Sequence, residues 1–307
     1  MNKLKAWVGA FRLRTLPLSF SNIILGTAIA SYNYKIDYSI FSLILLTTLL
    51  LQIVSNLAND FGDAKKGTDN NNRVGPERAV QSGVISLSQM KIGIIITSVL
   101  ALTSGLLLLF KVFNGQFNFT FILFFIIGIL SITAAIKYTV GKKAYGYSGM
   151  GDLFVFVFFG LVGVLGTYYL LTKSFDLIMV LPAITMGGFS TAVLNLNNMR
   201  DIKNDAEVGK NTLVVKMGLD KAKQYHYSLF FWSYLSFGIF CFIKFTSSFT
   251  YLALIPLVII GILHTIHLIK VSKITLPKNY DPELKKIALS SLLFSILVWI
   301  TLFSLSN

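Results

Sequence analysis

Residues Ile40–Asn59 read IFSLILLTTLLLQIVSNLAN, twenty positions without a charged side chain. As an α-helix such a run is about 30 Å long, the thickness of a bilayer's hydrocarbon core. It is too uniformly apolar for a soluble helix, which keeps one polar face. In lipid the backbone must satisfy its own hydrogen bonds, so the run is read as a membrane-spanning helix. Directly after it come Asp60 and Asp63, so the span ends in carboxylates.

Working outward, eight similar runs flank this one: Leu16–Asn33, Ile92–Phe110, Phe117–Ala135, Leu153–Leu171, Leu177–Leu196, Tyr227–Ile243, Tyr251–Ile269 and Ile287–Leu305. The 307 residues are 54% hydrophobic and 13% charged, about half the charge of a soluble domain, so most of the surface faces something other than water. No stretch reads as a soluble domain, linker or low-complexity tail. The expected fold class is an all-α polytopic membrane protein of nine transmembrane helices, one membrane domain over 1–307. Lys3, Lys5, Arg12 and Arg14 before an apolar run, with Ala28-Ile29-Ala30 after them, have the outline of a cleaved signal. The run belongs to a regular series of spans, so it is read as the first of them. The single Cys241 lies in an apolar run, where it is a small buried apolar residue.

The net charge of +14 does not imply nucleic acid, because its distribution explains it. Of the 27 Lys and Arg, 23 fall in the N-terminal tail and in the loops after runs two, four, six and eight. The other loops carry one each: Lys35, Lys111, Lys173 and Lys244. The positive-inside rule makes the rich side cytoplasmic, with the N-terminus inside and the C-terminus outside.

Of the 13 acids, only Asp37 and Asp176 fall on the outer side. Eight of the others share two segments, about 60–91 and 197–226, read as long cytoplasmic loops. Asn56 and Asp60 are four apart, as are Asn59 and Asp63; Asn197, Asp201 and Asp205 continue the same spacing. Residues four apart share a helix face, so the ends of spans two and six would each project a column of oxygens. Such hard ligands suit Mg²⁺. Asn56-Leu-Ala-Asn-Asp60 echoes Asn197-Asn-Met-Arg-Asp201, which suggests two related four-helix units. One acid at a helix end needs no functional account, but paired Asn and Asp at two helix ends do, since carboxylates beside the apolar bilayer are costly.

The same segments carry Lys65, Lys66, Arg73, Arg78, Arg200, Lys203 and Lys210, and the loop after run four adds Lys137, Lys142 and Lys143 beside Tyr138 and Tyr145. Interleaved acids and bases are what a Mg²⁺-bound diphosphate requires. An apolar bundle rich in Phe, with 26 of them, would hold a lipid tail behind it. His264 and His267, one turn apart, are read as interfacial or packed residues rather than metal ligands. No acid falls mid-span, which argues against a secondary transporter.

Asn59-Asp60-Phe-Gly-Asp63 with Asp69, and Arg200-Asp201-Ile-Lys-Asn-Asp205, resemble the two Asp-rich motifs of UbiA-type membrane prenyltransferases, and the resemblance covers nearly the whole chain. Arg12-Leu-Arg-Thr-Leu-Pro17, Lys66-Gly-Thr-Asp69, Arg73-Val-Gly-Pro-Glu-Arg78 and Gln81-Ser-Gly83 are similar to the branch acting on 1,4-dihydroxy-2-naphthoate in menaquinone synthesis. The resemblance implies a UbiA-type bundle in a bacterial cytoplasmic membrane, working at its cytoplasmic face. It implies Mg²⁺ on Asn59, Asp60, Asp63, Asp201 and Asp205, with Asn56, Asp69 and Asn197 as further candidates, and assigns catalysis to the four Asp. Arg73 or Arg78, with Lys66, Tyr138, Lys142 and Lys210, would bind the diphosphate of a polyprenyl donor. Arg12 or Arg14 would take the aromatic carboxylate or a phosphate. Another acceptor, 4-hydroxybenzoate or homogentisate, fits the superfamily motifs equally.

Overall fold

The computed structural model describes residues 2–70, 74–245 and 247–306. Among these residues a short helix, Lys3–Phe11, precedes nine long ones: α1 (Leu16–Asn33), α2 (Tyr38–Lys65), α3 (Leu87–Val112), α4 (Phe119–Lys137), α5 (Gly151–Thr172), α6 (Val180–Glu207), α7 (Leu219–Lys244), α8 (Ser247–Lys273) and α9 (Tyr280–Ser306). No strand occurs among the described residues. Each apolar run of the sequence corresponds to one long helix, two of the runs starting two or three residues before it, at Phe117 and Leu177. Eight are long and apolar enough to cross a membrane; α1 qualifies only together with Lys3–Phe11, bent from it by 43°. The reason is visible in its sequence: α1 buries Ser19, Ser21, Asn22 and Thr27, polar residues that dilute its hydropathy and turn towards other helices.

Local signals start the helices where the apolar runs begin. Asp37 accepts from the backbone N–H of Ser39 and Ile40 at the head of α2, Ser86 and Gln89 form a capping box on α3, and Asn118 caps α4. Each satisfies amides that a helix N-terminus leaves open.

The bundle is layered around α6. Its apolar window is 61% buried, against 11% for α4, so α6 is the central post and α4 a rim helix facing lipid. Phe189 of α6 packs with Phe230 of α7 and Phe294 of α9, ring centroids 5.7 and 6.0 Å apart. Around the rim, Ile92, Ile95, Ile96 and Val99 of α3 are exposed, as a lipid-facing helix requires.

Two elements depart from plain α-helix and shape the space inside. Phe156–Leu165 of α5 is π-helical, a wider winding that often marks functional sites. There Gly160 lies against α6 so closely that a Cβ would stand 2.5 Å from Ala183 O and 2.7 Å from Gly187 Cα. Nothing in the packing of the described residues establishes the two four-helix units as a repeat, although α2 and α6 end in the same way.

Candidate active site

The acids gather because two helices overrun the apolar runs that define them. α2 continues to Lys65 and α6 to Glu207, so the motifs sit on the last helical turns rather than in loops. The segments 60–91 and 197–226 are loops only in their middle, since α3 starts at Leu87 and α7 at Leu219. Both overruns stop at a glycine in the left-handed region, Gly67 (φ 74°) and Gly209 (φ 70°). Thr68 N–H then donates to Asp63 O at 2.9 Å, and Lys210 N–H to Asp205 O at 2.7 Å. Gly67 and Gly209 reach Ala64 O and Ala206 O, each at 3.2 Å. These are matching Schellman caps. Each folds the residue after the glycine back over a motif acid: Thr68 on α2, Lys210 on α6.

Lys210 stands between the two helices. Its ammonium is 4.0 Å from the Asp63 carboxylate and 3.7 Å from that of Asp205, and the residue is buried. Burial works against its charge, but the two carboxylates outweigh this and push its pKa up to about 12. Tyr147 donates its O–H to Asp63 at 2.8 Å and pairs with the Thr68 hydroxyl. Burial and the charge of Asp63 raise the Tyr147 phenol, so it stays protonated as a donor. Lys66 holds its ammonium 3.7 Å from the Tyr147 ring centroid, a cation–π contact.

A second cluster surrounds Asp60, which pairs with Arg12 and lies 3.6 Å from Arg78 Nη1. Arg78 Nε is 3.9 Å from Asp69. A third centres on Arg200. It grips Asp201 with Nε at 3.0 Å and Nη2 at 2.7 Å, and donates to Asn197 at 2.8 Å and to Asp281 of α9 at 2.5 Å.

The expected oxygen columns are thus redistributed. Asn56 points to the end of the short helix Lys3–Phe11 instead of joining the acids: its amide donates to Phe11 O at 2.9 Å and its oxygen accepts from Gln52. Asn197 and Asp201 are bound to Arg200. Asn59 lies beside Thr139, 3.5 Å away. Tyr138 lines the cavity described below, whereas Lys142 is exposed and does not. Arg73 lies outside the described residues, and so does the side chain of Arg14. Tyr147, Thr68 and Asp281 were not anticipated; their partners lie 84, 136 and 81 residues away in sequence, with no local spacing to signal them.

Among the described residues, no three Asp, Glu, His or Cys stand close enough to enclose a metal unaided. That fits Mg²⁺, which is typically held by one or two carboxylates while substrate phosphates and water complete its shell. Asp63 and Asp205 supply such a pair, and the ammonium of Lys210 already marks the space between them as suited to a cation.

Beneath the clusters opens a cavity of about 570 Å³. Arg12, Arg78, Arg200 and Lys210 line it at the motif end, with Asp63, Asp201 and Asp205. Tyr138, Tyr145, Phe154 and Phe158 form an aromatic wall. Ile44, Leu109, Phe124 and Leu170 line the far end. The arrangement can hold a charged head at one end and an apolar chain along the bundle.

The three histidines form a separate buried network. His267 bonds Glu283 at 2.7 Å and His226 at 2.9 Å; His264 bonds Tyr234 at 2.8 Å and Ser290 at 2.7 Å. His264 and His267 are thus packed in the interior, His226 joins them, and α9 supplies an acid partner, Glu283, that the sequence reading did not anticipate.

The UbiA prenyltransferase family profile matches residues 19–279. The 1,4-dihydroxy-2-naphthoate octaprenyltransferase of Escherichia coli (strain K12) is 47% identical over 240 residues, covering 78% of this chain and 77% of that protein. The protein of the same name from Haemophilus influenzae is 42% identical over 303 residues, covering 96% and 94%. Among solved structures, a UbiA homolog from Archaeoglobus fulgidus bound to DMAPP and Mg²⁺ has a TM-score of 0.69 at 14% identity, covering 97% of this chain and 99% of that one.

Proposed function

The chain belongs to the UbiA prenyltransferase family, and from that premise we propose that it transfers an all-trans polyprenyl group from polyprenyl diphosphate to 1,4-dihydroxy-2-naphthoate. Diphosphate and CO2 leave, and the prenylated hydroquinone, the reduced form of demethylmenaquinone, is formed at the cytoplasmic face of a bacterial inner membrane. The relatives' names support the acceptor. The observation that carries the reading is the juxtaposition of Asp63, Lys210 and Asp205 with the mouth of a long apolar cavity.

Asp63 and Asp205, with Asn59 one turn before Asp63 and with Asp60 and Asp201 in the adjoining clusters, would hold Mg²⁺, which would neutralise charge on the departing diphosphate. The chain's own groups do the rest. Arg12, Arg78 and Lys210 line the cavity mouth and receive the phosphate oxygens, with Lys66 one contact further out on Tyr147. Tyr147 fixes the direction of the Asp63 carboxylate. Ionisation leaves an allylic cation in the cavity, where the faces of Tyr138, Tyr145, Phe154 and Phe158 attract it and the apolar walls keep out water that would quench it. The electron-rich ring attacks through the carbon bearing the carboxylate. Catalysis of this kind rests on placed charges that stabilise the leaving group.

The test is product formation by purified protein with polyprenyl diphosphate, Mg²⁺ and each acceptor in turn. Product from dihydroxynaphthoate is expected. Product from 4-hydroxybenzoate with none from dihydroxynaphthoate would overturn the assignment.

A further inference from the structure

The first turns of α9 divide their side chains between two faces. Asp281, Leu284, Lys285 and Ala288, at helical spacings of three and four, all line the cavity. Glu283 points the other way, fully buried, with Lys270 and Lys286 at 2.9 and 2.8 Å. The adjacent lysines therefore differ in kind. Lys286 neutralises a buried acid, whereas Lys285 faces the cavity.

Lys285 also differs from the other cavity-lining cations. Arg12 and Arg78 meet Asp60, Arg200 meets Asp201 and Asp281, and Lys210 meets Asp63 and Asp205. Among the described residues, no carboxylate pairs with Lys285. It stands one turn from Asp281, which is joined through Arg200 to Asp201, so it belongs to the motif end of the cavity.

We propose that Lys285 binds the carboxylate of the aromatic acceptor and so sets acceptor specificity. The proposal rests on the reading above, that the acceptor is an aromatic carboxylate alkylated at the carbon bearing that group. A carboxylate entering an apolar cavity needs a cation to offset its desolvation, and the diphosphate claims those already among the acids. A lysine provides a point charge on a flexible stem that keeps its head hydrated until the acceptor arrives. When the ring carbon bonds the allylic carbon, the ring–carboxylate bond breaks, its electron pair restores the aromatic ring and CO2 leaves. The prenylated product is then uncharged and loses its hold on Lys285. An interaction made with the bound acceptor and lost in the product acts on KM more than on kcat.

The experiment compares wild type, Lys285→Gln and Lys285→Arg in detergent. KM is measured for dihydroxynaphthoate and for donor, and competition is measured with 1-hydroxy-2-naphthoate and with 1-naphthol, which lacks the carboxylate. Lys285→Gln is expected to raise the acceptor KM and weaken 1-hydroxy-2-naphthoate about tenfold, the loss of one charge-assisted contact from a lysine that is exposed in the free protein. Donor KM and 1-naphthol inhibition stay as in wild type, and Lys285→Arg restores most of the loss. Equal weakening of both competitors, a matching rise in donor KM, or no change in either would overturn the proposal. A wrong acceptor would show separately, as wild type inactive with dihydroxynaphthoate. The difference between the two competitors, read then by displacement of whichever acceptor is used, still judges Lys285.

Discussion

Tyr147 makes two contacts that a pair of substitutions can separate. Its hydroxyl bonds Asp63 and its ring carries the Lys66 ammonium. Tyr147→Phe keeps the ring and removes the donor, so Asp63 loses one of the groups that aim it. We expect kcat to fall about tenfold, the worth of one hydrogen bond to a charged group, with Tyr147→Leu lower still because the cation–π contact goes too. A Phe variant with wild-type turnover would remove the hydroxyl from the account. At this scale the motif acids were legible, because residues four apart on a helix declare a common face. Lys210 was legible only as one base among many. What singles it out is the left-handed Gly209, which turns it back onto Asp205. Arg200 shows the converse. It lies within a motif, yet its grip on Asp201 also ties that carboxylate to Asp281 of α9, a link that no local spacing announces.

At the scale of elements, the apolar runs located all nine helices because lipid leaves the backbone no alternative. The ends of α2 and α6 were read short for a physical reason. A hydropathy pattern stops where side chains turn polar, whereas the backbone stops where a cap stops it, and Gly67 and Gly209 lie eight and thirteen residues beyond the runs' ends at Asn59 and Leu196. The π-helical stretch of α5 has no signature in its composition, since it is a change of hydrogen-bond register within an ordinary apolar run. Its consequence is measurable through Gly160, which meets backbone atoms of α6 rather than a side chain that could move aside. Gly160→Ala should therefore destabilise the protein by about 2 kcal/mol, the usual cost of overpacking, seen as faster thermal inactivation in detergent. Gly238 of α7 has open space around it, so Gly238→Ala should be neutral or stabilising, as Ala is the better helix former. If both variants behave alike, the close α5–α6 approach does not limit stability.

The whole molecule joins a charged mouth to an apolar interior, and only the mouth is written in motifs. The bias of basic residues gave the expected orientation, and the Phe content an expected lipid-holding core, but no run or spacing encodes a cavity, which exists only where helices fail to fill the space between them. Its lining includes Asn59 near one end of α2 and Ile44 fifteen residues earlier, a separation of about 22 Å along the helix. On the proposed function the charged clusters would hold the donor's diphosphate, so chain length must be tested against the other end, where Ile44, Leu109, Phe124 and Leu170 stand. Leu109 is buried there, and Leu109→Trp would fill space that a long chain needs and a short one never reaches. An eight-isoprene donor should lose about tenfold in kcat/KM relative to a two-isoprene donor, the scale on which a pocket rejects excess apolar bulk. Measured on both donors in the same membranes, this ratio separates a length-setting floor from general damage: a misfolded variant lowers both rates equally, and an unchanged ratio in a stable variant would show that the chain leaves the cavity before reaching Leu109.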